Sequence, residues 1–245
     1  MNERKKEGEA SPLDKLREAR AAGSDMNRID AVDKRHSRGF RTARENLADL
    51  CDPETFTEYG EFAVAAQRQR RDIEDLRANT NADGVLTGLA TINADQFGAK
   101  DARTAVIVND YSVLAGTQGF YHHKKIDRLL DLAGREELPV VMYTEGGGGR
   151  PGDTDVLTQV SGLDVPTFAR WAKLAGTVPR IAVNNGYCFA GNAALFGCAD
   201  VRIATRHSWI GMAGPAMIEA GGLGSFEPQE IGPTEMHVGQ GVVDI

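Results

Sequence analysis

"LPVVMYTEGGGGRPGDTD", Leu138 to Asp155, passes from an apolar run through an acidic residue into four consecutive glycines, an arginine and a proline. The run Leu138 to Glu145 has strand length and β-branched enrichment. The glycines then remove every side chain from the turn, which stands at a strand end, where α/β proteins commonly bind ligands. Further runs of the same kind are "GVLTGLATI" (84–92), "RTAVIVND" (103–110), "VPRIAVNNG" (178–186) and "DVRIAT" (200–205). Helices are predicted between them: 118–134, with Ile126, Leu129, Leu130 and Ala133 on one face, then 165–176 and 188–199. Alternating strand and helix predicts an α/β fold with helices packed on a sheet.

Ahead of the strands, residues 12–50 carry Leu, Ala and Phe at helical spacing and stop at Asp52-Pro53, and "QRQRRDIEDLRA" (67–78) is a second polar helical stretch. The charged lead-in around Lys5, Lys6, Glu7 and Glu9 predicts a solvated arm, which sets residues 1–34 apart from a main domain over 35–245.

The 245 residues are 41% apolar and 26% charged, the balance of a globular protein. A net charge of −7 disfavours nonspecific attraction to nucleic acid or an anionic membrane. The charged N-terminus lacks a signal-peptide core and no apolar run is long enough to span a bilayer, so a cytoplasmic location is expected. Cys51, Cys188 and Cys198 show no metal-ligand spacing, which predicts free buried thiols and no metal site.

The glycine loop has three chemical readings beside that of a plain turn. Gly147 to Gly152 satisfies G-x-G-x-x-G, but no helical periodicity follows and Asp153 and Asp155 would face the phosphates. A P-loop fails because Asp153 stands where a lysine is required. The third reading pairs the loop with "NNGYCFAGNAALFGCADV" (184–201), in which small residues, Ala190, Gly191, Asn192, Ala193 and Ala194, open a helix. Free N–H groups at such a start can receive a carbonyl oxygen as it gains negative charge. Tight helix–sheet packing is the alternative.

These residues resemble the carboxyltransferase subunits of biotin-dependent acyl-CoA carboxylases, which have a crotonase-like fold. "EGGGGR" (Glu145 to Arg150) is similar to that family's acidic residue followed by Gly-Gly-Ala-Arg, and "CFAGNA" (Cys188 to Ala193) to its Cys-x-Ala-Gly-Gly-Ala. "NDYSVLAG" (109–116) and "MAGPAMIEA" (212–220) match two further family segments in the same order. The resemblance implies a β-β-α superhelix with an N-terminal helical extension. It also implies transfer of a carboxyl group from carboxybiotin, borne on a carrier and not on this chain, to the α-carbon of an acyl-CoA. The partners it implies are a biotin carboxylase and biotin carrier subunit, a C-terminal carboxyltransferase half absent from this chain, and further copies in a dimer or hexamer.

Carried onto this sequence, the resemblance makes the N–H groups of Gly191 and Asn192 the thioester oxyanion donors. Gly147, Gly148 and Gly149 shape the pocket, Arg150 orients the loop or neutralises charge, and Gly116 and Ala190 line the substrate. Asn192 departs from the family's usual glycine and adds bulk. Lys124 and Lys125, with His122 and His123, are either CoA-phosphate ligands or a solvated helix face. Cys188 is read as a packed thiol, His207 and His237 as structural, and Glu145 as a loop-orienting carboxylate. The same fold also supports biotin-independent hydratases, hydrolases and decarboxylases of CoA thioesters. A non-catalytic scaffold half is the remaining alternative.

Overall fold

The computed structural model describes residues 11–156 and 165–245. The predicted lead-in around Lys5 and Glu9 lies outside them. The strands are β1 (Thr57–Glu58), β2 (Val85–Thr91), β3 (Arg103–Asn109), β4 (Val140–Tyr143), β5 (Arg180–Asn184), β6 (Tyr187–Phe189), β7 (Val201–Ala204) and β8 (Trp209–Gly211). The helices are α1 (Pro12–Ala22), α2 (Ile29–His36), α3 (Ala43–Leu50), α4 (Ile73–Asn79), α5 (Ala94–Phe97), α6 (Phe120–Glu136), α7 (Thr167–Lys173), α8 (Gly191–Gly197), α9 (Pro215–Ala220) and α10 (Thr234–Gly239).

A six-stranded sheet runs β1-β2-β3-β4-β5-β7, antiparallel through β3 and parallel from β3 to β7. Successive side chains leave opposite faces of a strand, and here that alternation divides two apolar layers. Ala105 and Ile107 of β3 pack with Ile126, Leu129, Leu130 and Ala133 of α6, Trp171 of α7, and Leu195 and Phe196 of α8. Val106 and Val108 pack instead with Ala43 and Leu47 of α3.

The β-β-α repeat is visible at β5-β6-α8 and again at β7-β8-α9, where a short second strand leaves the main sheet before each helix. β6 pairs with β8, and parallel bridges Gly146↔Cys188 and Gln118↔Gly149 carry the same layer back to the glycine turn. The glycine turn is thus a poorly regular second strand, which explains why no helix opens on its glycines. The five predicted strands are present. The two- and three-residue strands β1, β6 and β8 are too short to show periodicity.

The expected boundary at residue 34 falls inside α2, and the N-terminal helices are tied to the main domain by ion pairs. Arg28 meets Asp110 at 2.9 Å, and Arg20 meets Glu61 at 2.6 Å.

The start of α6 is buried and is satisfied by carboxylates. Asp153 accepts the Phe120 N–H at 2.8 Å and Asp83 accepts the His122 N–H at 2.7 Å. Negative charge there complements the helix dipole. The buried Arg150 guanidinium pairs with Asp83, lies 3.6 Å from Asp153, and donates to the Thr117 hydroxyl at 3.1 Å and to the Thr117 carbonyl. Ala82 and Asp83 hold φ of 52° and 50°, a strained conformation that presents the Asp83 carboxylate to these donors. Gly119 is required beside the network, because a Cβ there would collide with both Arg150 and Asp153. Of the two roles expected for Arg150, loop orientation is the one its contacts serve. Replacing Arg150 with Met leaves two buried carboxylates without their cation and is expected to cost about 3–5 kcal/mol. Denaturant unfolding checks this; a loss below about 1 kcal/mol, the range of a surface pair, would show that the network does not hold the loop.

Candidate active site

Strands β4 and β5 are parallel neighbours, with Tyr143 opposite Val183, so the segments that follow them emerge side by side. Gly146 donates to the Tyr187 carbonyl at 2.7 Å and accepts from Phe189 at 2.8 Å, which stitches the glycine turn to β6. Gly147 donates to Ala115 at 3.0 Å, and Gly148 donates to the Asn192 side-chain oxygen, also at 3.0 Å. The amides of Gly147 and Gly148 are therefore already engaged. These two residues shape the wall of the site and do not present free donors. Gly149 is exposed, and its N–H has no partner among the described residues.

Across the turn, the N–H groups of Gly191 and Asn192 open α8 without a partner among the described residues. Ala190, just before them, holds φ 52° and ψ −119°. A non-glycine residue there costs of order 1–3 kcal/mol, and this strain sits where β6 passes into α8. The Ala190 N–H is fixed by the Gly211 carbonyl at 2.9 Å. Leu114, Ala115 and Gly116 also have positive φ, at 48°, 56° and 60°. Gly116 is buried, and a Cβ on it would meet the Glu145 carbonyl at 2.8 Å and the Gly146 Cα at 2.9 Å. Its part is to let the turns approach, beneath any ligand. A Cβ on Gly191 would collide with the Gln118 side-chain oxygen and meet Phe168 at 3.1 Å, so these two side chains pack against the first residue of α8.

The basic residues of α6 require correction. His122 and His123 are buried, not solvated, and burial holds both imidazoles in the neutral form, His123 down to about 4. The Lys125 ammonium donates to the Ala82 carbonyl at 2.7 Å and to the Val85 carbonyl, and burial lowers it to about 8. It is a half-buried backbone tie at the edge of the groove beside Lys124. Lys124 is exposed and lies over the Phe120 ring at 5.4 Å, beside a groove lined by Tyr59, Tyr121, Arg128 and Arg170.

A different cleft adjoins the glycine turn. It is lined by Lys34, Arg35, Arg38, Phe40, Tyr111, Ala115 and Tyr187, and shares none of its lining with the Lys124 groove. Tyr187 stacks on Trp209 at 5.1 Å and meets Phe40 at 5.7 Å and Tyr111 at 5.8 Å. Lys34 and Arg38, one turn apart, are exposed at its rim. Sequence reading missed this cleft because its parts come from α2, the turn after β3, and β6. Only the spacing of Lys34 and Arg38 was legible in advance.

Cys188 is buried and its thiol is pushed up to about 12 by burial, which suits a packed thiol and not a nucleophile. Cys198 is exposed, against the expectation that all three thiols are buried. Among the described residues no group of His, Cys, Asp and Glu could hold a metal ion, and no helix is long and apolar enough to cross a membrane.

Glu145 is buried and pairs with Arg35 at 2.7 Å, and the Arg35 guanidinium also lies over Phe40 at 4.9 Å. Gly186 leaves the space this carboxylate occupies. Burial raises the carboxyl from 4.5 to about 7, against the opposing pull of Arg35. The folded state therefore holds this proton more tightly than the unfolded chain does. The stability contributed is full below about 4.5 and is lost as pH rises through 7. Relative to Glu145→Gln, the wild type should lose about 3 kcal/mol of unfolding free energy across that window. Denaturant curves at several pH values check this, and parallel pH profiles for the two proteins would refute it.

Residues 34–245 match the model of the carboxyl transferase domain family. Over 233 residues the chain is 30% identical to the methylmalonyl-CoA carboxyltransferase 12S subunit of Propionibacterium freudenreichii subsp. shermanii, with 95% of this chain and 41% of that one covered. It superposes on a single-chain, multi-domain long-chain acyl-CoA carboxylase with a TM-score of 0.90 at 56% identity, covering 96% of this chain and 23% of that one. A transcarboxylase 12S structure, a hexamer with methylmalonyl-CoA bound, gives a TM-score of 0.75 at 27% identity, with 96% and 44% covered. The chain spans less than half the length of these relatives.

Proposed function

The chain belongs to the carboxyl transferase domain family, and from that membership we propose that it forms the acyl-CoA site of a biotin-dependent carboxyltransferase. The observation that carries this reading is the pair of N–H groups on Gly191 and Asn192, without a partner among the described residues and set beside a turn whose side chains are absent. The thioester oxygen accepts from both. As the α-carbon loses its proton, charge grows on that oxygen, and each donor fixed in advance is worth roughly 3–4 kcal/mol to the transition state. Carboxybiotin, delivered by a carrier, supplies the carboxyl group. A C-terminal carboxyltransferase half and further copies of the chain complete the enzyme. Glu145 is engaged by the buried Arg35 and packed against Gly186, the placement of a loop-orienting carboxylate, which weighs against a hydratase.

The cleft along α2 suits the nucleotide end of CoA. Its aromatic lining, Phe40, Tyr111 and Tyr187, offers ring faces for adenine, its rim carries two cations for phosphate, and Ala115 joins it to the glycine turn. The double change Lys34→Ala and Arg38→Ala is expected to weaken CoA binding about tenfold, or ~1.4 kcal/mol, while Lys124→Ala leaves it unchanged. Calorimetry with CoA checks both; the opposite ranking would return the phosphates to α6.

The decisive assay supplies carboxybiotin and acyl-CoAs from short to long chain, with and without a candidate second half. Long chains belong in the panel because the relative at 56% identity is a long-chain acyl-CoA carboxylase. Carboxylated thioester is expected when both halves are present. Its absence under every condition, despite CoA binding, would reduce the chain to a scaffold.

A further inference from the structure

We propose that Asn192 is a positioning residue: its side-chain oxygen fills the Gly148 N–H and so leaves the thioester oxygen a single seat, at the start of α8. This rests on the function proposed above. Asn192 is fully buried, and its Oδ1 accepts the Gly148 N–H at 3.0 Å. Its Nδ2 fills the space that a Cβ on Gly146 would need and has no partner among the described residues. The carboxamide is therefore lodged inside the turn, where solvent and substrate do not reach it.

An amide oxygen and a thioester oxygen are the same kind of acceptor. A bare glycine turn would offer the Gly148 N–H to either one. With Gly146 and Gly147 already donating to Tyr187 and Ala115, the side chain of Asn192 takes the third consecutive amide of the turn, that of Gly148. A Cβ on Gly148 would lie 2.7 Å from the Ala190 Cβ, so the amide that Asn192 takes belongs to the glycine packed against the start of α8, whereas Gly149 is exposed. One seat fixes the direction of the thioester plane and hence of the α-carbon. A residue without a side chain at 192 would leave two seats and two orientations. The same contact braces the glycine turn against α8, which explains how an asparagine serves at a position where glycine would otherwise give the ligand more room.

The test compares Asn192→Asp, which keeps the size and an acceptor, with Asn192→Leu, which keeps the size alone. Asn192→Ala replaces the Leu variant if that variant does not fold. One readout is hydrogen exchange at the Gly148 amide. The other is the ratio of affinities, by calorimetry, for octanoyl-CoA and for S-octyl-CoA, the thioether that lacks the carbonyl oxygen.

Loss of one hydrogen bond predicts about tenfold faster Gly148 exchange and about a tenfold fall in the thioester-to-thioether ratio for the Leu variant. The Asp variant is expected to stay within about threefold of wild type on both. A merely structural role would lower thermal stability in both variants and leave the ratio unmoved, which would overturn the proposal. So would unchanged Gly148 exchange in the Leu variant, or tighter binding of octanoyl-CoA by it. A wild type that binds neither CoA compound would remove the function itself and the proposal with it.

Discussion

Parallel pairing of β4 with β5 is the constraint on which everything else in the site depends. Two neighbouring parallel strands must deliver their C-terminal segments to the same edge, and here one delivers a run of glycines and the other a strained alanine followed by a helix start. The short second strands then turn away from the sheet at a common level. No side chain has to reach across for the main-chain amides to meet. What the sequence must provide is room, and Gly116, Gly146 and Gly148 provide it where two backbones or a backbone and a carboxamide come into contact.

Holding such a bare junction in one geometry requires rigidity from outside it. Arg150 supplies this on one side, locked by two carboxylates that also cap the start of α6, and Arg35 supplies it on the other through Glu145. Both ion pairs are buried, so each is costly to break and neither is a cheap source of stability. Their value lies in fixing the ends of the segment Glu145 to Arg150. Between these anchors, Asn192 fastens the middle. The backbone strain at Ala190 and across Leu114 to Gly116 persists because this surrounding frame over-determines it.

The strands, the packing face of α6 and the pairing of the two glycine-bearing segments were legible in the sequence, because hydrophobic period and glycine placement report on exactly those features of a layered fold. The local fate of individual polar residues was not. Lys125 and His122 look like a basic surface in one dimension, yet the strained turn at Ala82 and Asp83 buries His122 and ties the half-buried Lys125 ammonium to a carbonyl. Gly148 reads as a free donor until the side chain of Asn192, forty-four residues away, is placed on it. Contacts of that kind depend on side-chain direction after the chain has crossed the sheet, and no spacing rule carries the information. The aromatic cleft was hidden for the same reason, being assembled from three separated segments that each look unremarkable alone.

Main-chain donors leave few marks for substitution to erase, so the proposed chemistry is best tested on the ligand. The carbonyl stretch of a ¹³C-labelled acyl-CoA thioester, recorded by difference Raman spectroscopy with the ligand bound, reports directly on the donors facing its oxygen. The account predicts a frequency lower than that of the free thioester in water, because two fixed N–H groups polarise the bond more than mobile solvent does. A bound carbonyl with the frequency of free thioester, or a higher one, would contradict it.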